Sequence, residues 1–130
     1  MAFEQIRYEV ADGLGVITLD RPKYRNAQGY QMLDEIDAAF ELARHDDAVR
    51  VLVVRGSNGV FSTGHDLGTP EEQAYRASQG EVTGIARYDQ FKKYNLDMLL
   101  GWRDFPKPTV AMVEGYCIYA GWMLAAAMDV

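Results

Sequence analysis

A chain of 130 residues with 48% apolar and 25% charged side chains is long enough to bury one core and too apolar for intrinsic disorder. Its formal charge of −6 is spread over both signs without a basic stripe, which argues against nonspecific electrostatic binding of nucleic acid. The single cysteine, Cys117, cannot close an internal disulfide, and Glu4, Arg7 and Glu9 interrupt the start of the chain where a secretory signal would be apolar, so a reducing cytoplasm is the expected compartment.

From Phe3 to Val10 apolar and polar residues alternate, and a second run, Leu14 to Asp20, follows Asp12-Gly13, so the chain is expected to open on a β-hairpin. Pro22, Asn26 and Gly29 break the pattern. Leu33, Ile36, Phe40 and Ala43 then recur at helical spacing, which predicts an amphipathic helix from about Ala27 to Arg44. Val49 to Ser57 is a continuous β-branched run suited to a strand buried on both faces. A loop rich in Gly, Ser and Thr follows, and the polar segment from Glu71 to Gly84 has so little periodicity that it reads as a mobile helix or lid.

Tyr88, Phe91, Asn95, Met98 and Trp102 predict a second amphipathic helix, ended by Phe105-Pro106-Lys107-Pro108. Thr109 to Ile118 is expected as a buried strand and Ala120 to Asp129 as a helix, with Trp122, Met123 and Met128 as packing residues. The stretch from Thr109 to Met128 is nearly long enough for a bilayer. Gly115 and Gly121 punctuate it, however, and Glu114 inside it would cost ~2.5–3.5 kcal/mol on insertion, so no membrane span is expected. The order ββ, α, β, loop, α, β, α points to a single α/β domain with crossover helices.

The strand-to-helix exit recurs, and each later copy carries a glycine. At Phe61-Ser62-Thr63-Gly64-His65-Asp66-Leu67, Gly64 permits a backbone turn that lets the next amides point into one hollow. At Gly115-Tyr116-Cys117-Ile118-Tyr119-Ala120-Gly121, a helix begins near Ala120, so its first amides lack intrahelical partners and carry the positive end of the dipole. Either alone is common punctuation; together they could hold one oxygen anion.

Three separated stretches, Gly15 to Gln28, Val49 to Leu67 and Lys107 to Val130, resemble in order and spacing the N-terminal half of the enoyl-CoA hydratase/isomerase (crotonase) family. The resemblance implies a ββα spiral of which residues 1–130 are the N-terminal part of an acyl-CoA-binding core domain, the C-terminal half being absent. It further implies an acyl-CoA thioester as substrate, no cofactor beyond the coenzyme A of that substrate, no metal, and a homo-oligomer, trimeric or hexameric in full-length relatives. The backbone amides of His65 and Ala120 are then the catalytic pair that holds the thioester carbonyl. Arg25, Ala27, Asp66, Leu67, Gly68, Gly121 and Met123 are the expected substrate-lining positions. Arg25 either lines the nucleotide phosphates or is a solvated surface arginine, and Gly68 stands where some relatives have a lysine.

One departure matters most. Hydratases of the family carry a glutamate at the position of Met123, and methionine neither donates nor accepts a catalytic proton. Isomerase, hydrolase or lyase chemistry therefore stands beside hydration, and the rival reading is a non-catalytic acyl-CoA-binding module or inactive fragment. Among substitutes, the His65 side chain, Asp66, Glu114 and Cys117 each have a simpler role as loop, cap, strand-end and packing residue.

Overall fold

The computed structural model describes residues 2–130. Strands β1 (Ile6–Ala11) and β2 (Leu14–Leu19) pair antiparallel. Asp12 and Gly13 between them both take positive φ (53° and 82°), the geometry that lets a two-residue turn follow the right-handed twist of the strands. Strands β3 (Val51–Gly56) and β4 (Thr109–Met112) add parallel on the far side, giving the order β1-β2-β3-β4. The expected central strand is thus in place, shorter by two residues at its start and one at its end.

Helix α1 (Tyr30–His45) crosses from β2 to β3 and buries Met32, Leu33, Ile36, Ala39, Phe40 and Ala43. That face packs on Ile17, Leu19, Leu52 and Val54 of the sheet, forming the core. The helix begins three residues later than the spacing suggested because Arg25 and Asn26 take positive φ after a 3₁₀ turn at Pro22–Tyr24. Gly29, the residue before its first turn, has no side chain to cap it. The carboxylate of Glu72 does so from another helix, accepting from the Tyr30 amide at 2.9 Å and occupying the space a Gly29 Cβ would need.

Glu72 lies on α2 (Pro70–Ser78), in the segment read as a mobile helix or lid. The helix is present, but its start is anchored rather than loose: Glu72 is only 3% exposed and ties α2 to α1. Thr69 accepts from the Glu72 amide, Pro70 opens the first turn, and Tyr75 donates to Asp34 of α1 at 2.8 Å.

The second amphipathic helix is interrupted. Helix α3 (Gly84–Lys92) runs into a π turn at Lys93–Asp97 and continues as α4 (Met98–Arg103). The wider turn shifts the phase of the helix. Tyr94, Met98 and Trp102 are consequently buried, whereas Tyr88 and Phe91, predicted on the same face, are 59% and 63% exposed. Trp102 stacks on Phe40 and donates its indole N–H to Asp37 at 3.0 Å, which locks α4 onto α1.

The last strand is shorter than expected, ending at Met112, after which the chain bends away and only Cys117 makes an isolated bridge, with Ser62. Helix α5 (Ala120–Ala127) buries Leu124 beside the core and turns Trp122 outward at 64% exposure, so Trp122 does not pack on this core as expected. Met112, Val113, Tyr116, Ile118 and Tyr119 are exposed with it, an apolar surface on the β4 and α5 side of the sheet. Among the described residues, no helix is long and apolar enough to cross a membrane.

Candidate functional site

The two strand-to-helix exits meet at Ser62. Its backbone N–H donates to Tyr116 O at 2.9 Å and its carbonyl accepts from Ile118 N at 3.1 Å. Its hydroxyl donates to Asn26 O at 2.7 Å and accepts from the Gln28 side chain and from the Gly64 amide. One buried serine therefore joins the loop after β2, the loop after β3 and the approach to α5.

The first exit is held by polar bonds. Gln28 N donates to Gly64 O at 2.7 Å and Asp66 N donates to Gln28 O at 2.9 Å, a parallel bridge between Gln28 and His65. In such a bridge the central residue's own N–H faces away from the partner strand. The His65 amide accordingly points to the opposite side and, among the described residues, donates to no acceptor. Beyond it Asp66 turns inward. Arg21 Nη1 donates to its carboxylate at 2.7 Å, as do the Gly68 and Thr69 amides at 2.9 and 2.8 Å and the Thr69 hydroxyl. Burial alone would raise this carboxyl's pKa, but the bonds from Thr69, Gly68 and Arg21 outweigh it and bring it down to about 2. Asp66 is thus a buried anion that shapes the loop, not a proton carrier.

The second exit is held by close backbone approach. A Cβ on Gly121 would stand 2.7 Å from Ser62 O, so only glycine lets the first turn of α5 sit here. Tyr119, immediately before α5, has φ 46° and ψ −101°, and Gly64 before His65 has φ 103°. Both amides thus follow a residue of positive φ, and at Tyr119, which has a side chain, this is a strained conformation that the surrounding contacts must hold. Gly121 and Met123 donate to Ile118 O and Tyr119 O, while the Ala120 amide, at the first position of the helix, has no acceptor among the described residues. The exits touch: a Cβ on Gly64 would lie 2.9 Å from Ile118 O and 3.7 Å from Ala120 N.

His65 is half-buried, its ring edge-on to Tyr119 at 5.6 Å between centroids. Burial, and secondarily the charge of Arg76, pushes its imidazole pKa below the ordinary value, so the ring is neutral at pH 7. Arg25, Ala27, Asp66, Leu67 and Gly68 line one hollow of about 610 Å³ together with His65. Arg25 is exposed, with its guanidinium 5.9 Å from the Tyr116 ring centre, and Leu67 is 97% exposed on the rim. Gly121 and Met123 are not part of that hollow; they lie on α5. Glu114 is exposed beyond the end of β4, and burial raises the Cys117 thiol, which keeps it protonated. Among the described residues no three His, Cys, Asp or Glu side chains group as metal ligands would.

Sequence reasoning missed Arg21, Ser62 and Glu72. Thr69-Pro70-Glu71-Glu72 is a readable helix start, with a capping threonine, proline at the first position and acids in the first turn. Nothing in the letters says that the last of those acids caps a different helix.

The enoyl-CoA hydratase/isomerase family profile matches residues 9–130. The chain belongs to that family. It is 42% identical over 141 aligned residues to a putative enoyl-CoA hydratase, EchA13, of Mycobacterium tuberculosis, an alignment that covers 98% of this chain and 44% of the relative. A probable enoyl-CoA hydratase from Mycobacterium smegmatis superposes with a TM-score of 0.81 at 37% identity, over 97% of this chain and 47% of that one. An enoyl-CoA hydratase/isomerase from Xanthobacter autotrophicus Py2 gives 0.83 at 33% identity, over 99% and 45%. The fold is therefore the crotonase α/β fold, and the chain spans about half the length of the relatives it matches.

Proposed function

We propose that the chain handles acyl-CoA thioesters by holding the thioester carbonyl between the backbone N–H groups of His65 and Ala120. The observation that carries this reading is the pair of amides, each set by a positive-φ residue, each without an acceptor among the described residues, on two exits that touch at Gly64. When a proton leaves the carbon next to the thioester, negative charge moves onto the carbonyl oxygen. Fixed N–H donors stabilise that charge more than they stabilise the ground state, and one such donor is commonly worth ~2.7–4 kcal/mol. The coenzyme A arm leaves across the hollow bordered by Ala27, Asp66, Leu67 and Gly68, with Lys23 and Arg25 as cations for its phosphates.

Met123 on α5 leaves that helix without the carboxylate that hydration would use, so proton removal followed by isomerisation, hydrolysis or carbon–carbon cleavage fits these residues better than addition of water. Within this chain the half-buried His65 ring, whose pKa burial lowers, is the candidate proton acceptor in this reading. Met123 also favours a second reading, an acyl-CoA-binding module that performs no chemistry.

Incubating the protein with butyryl-CoA in deuterated water and weighing the recovered thioester distinguishes them. Deuterium at the α-carbon, lost in Gly64→Ala, is the expected result. Binding without exchange overturns catalysis in favour of the module, and absence of binding overturns both.

A further inference from the structure

We infer that the acyl side of this site recognises a carboxylate at the far end of the acyl chain, through Arg76 and Arg87. The inference rests on the thioester reading above. His65, Asp66 and Leu67 form a rim shared by two hollows. The larger, about 610 Å³, carries Lys23 and Arg25 and suits the long phosphate-bearing arm of the thioester. The smaller, about 350 Å³, is walled by the Tyr30 and Phe91 rings and the Gln28 and Asn95 amides, with Arg76 at its side. A third, about 440 Å³, shares Tyr30, Arg76 and Phe91 with the second and continues to Arg87 and Gln90. A short acyl chain leaving the carbonyl through the second hollow would run past two aromatic rings and arrive at two guanidinium groups.

Arg76 is half-exposed, with its side chain 51% accessible, yet its orientation is fixed. Its Nε donates to buried Glu72 at 2.6 Å and its guanidinium carbon lies 4.3 Å from the centre of the Tyr30 ring, so the planar fork is held in place before any ligand arrives. Its two terminal nitrogens donate to no acceptor among the described residues, and the same holds for Arg87, whose Nε is taken by Val82 O at 3.2 Å. Three carboxylates stand near these cations, and Asp66, on the rim of the second hollow, is already taken up by Arg21, Gly68 and Thr69. Glu72 has both oxygens engaged, by Arg76 and by the Tyr30 amide, and Glu81, which lines the third hollow, is exposed. A purely hydrocarbon chain would strip water from the guanidinium forks and return nothing, whereas a carboxylate accepts from such a fork with two parallel bonds.

The test measures dissociation constants of succinyl-, glutaryl- and adipoyl-CoA by calorimetry, each against the monoacyl-CoA of equal carbon number and against its own methyl ester. At least one diacid should bind about tenfold more tightly than both neutral partners, as expected for charge-assisted hydrogen bonds. Arg76→Gln combined with Glu72→Gln, which avoids leaving a buried carboxylate unpaired, should collapse that ratio toward one, and Arg87→Gln should reduce it. Monoacyl- and diacyl-CoA binding equally well in the unaltered protein would overturn this inference and leave the thioester reading standing. A ratio that survives in both variants would equally overturn it. If no thioester of either kind binds, the thioester reading itself fails.

Discussion

The two exits that frame the site are built in opposite ways. At the first, the loop from Gly64 to Thr69 is fixed by polar side chains, and the Arg21–Asp66 pair with Thr69 satisfies nearly every donor within reach. At the second, from Gly115 to Gly121, hardly any side-chain hydrogen bond contributes; glycines bring backbone against backbone, Gly115 on Gly59 and Gly121 on Ser62. The first exit is anchored by the buried Asp66 and opens at Leu67 and Gly68, while the second lies beside the exposed Tyr116, Ile118, Tyr119 and Trp122. One main-chain geometry, an amide following a positive-φ residue, is thus reached by hydrogen bonding in one place and by excluded volume in the other. The two should therefore fail differently.

The largest effect is expected from Asp66→Ala. It leaves the Arg21 guanidinium buried at 7% exposure without its anion, and breaking a buried pair in this way costs ~3–5 kcal/mol. Urea denaturation should show that loss; a change below about 1 kcal/mol would mean the polar web does not hold the loop.

Next is Gly121→Ala. Its new methyl meets the Ser62 carbonyl, which is backbone and cannot swing aside, so overpacking of ~1–3 kcal/mol is expected together with a displaced α5. Amide chemical-shift changes should spread from Ala120 to Ser62. Changes confined to Gly121 would contradict the excluded-volume account.

Acid titration separates the exits without mutation. The folded Asp66 carboxyl has its pKa lowered from 3.8 to about 2. A group depressed in this way stabilises the fold fully above its unfolded value, and that contribution is lost as pH falls from about 4 to about 2, amounting to ~2 kcal/mol. Stability measured across that interval should fall less in Asp66→Asn than in the parent chain. The smallest effect belongs to Trp122→Ser on the open side, within ~0.5 kcal/mol, because a 64% exposed ring contributes little to the core.

The same contrast decides what could be read from the letters. The hairpin, the α1 face and the buried β3 follow from periodicity and turn chemistry, because each depends on neighbours in sequence. The glycines at both exits were visible as punctuation for the same reason. Glu72 capping α1 and Ser62 joining three loops depend on partners 42 and 36 residues away, and a pattern of spacing carries no such information. The π turn at Lys93–Asp97 defeated the second helix stripe, since one widened turn moves Tyr88 and Phe91 off the face that Tyr94 and Met98 bury. The outward side of Trp122 is not legible in sequence, because hydrophobicity alone does not say which side of α5 meets the core.

The most direct test of the two-amide account is the infrared carbonyl stretch of an acyl-CoA carrying carbon-13 at the thioester carbonyl, recorded free and bound. Two N–H donors on one oxygen weaken the C=O bond, so the band should move to lower frequency on binding and move back toward the free value in Gly64→Ala. A bound thioester whose band stays at the free position would contradict the account.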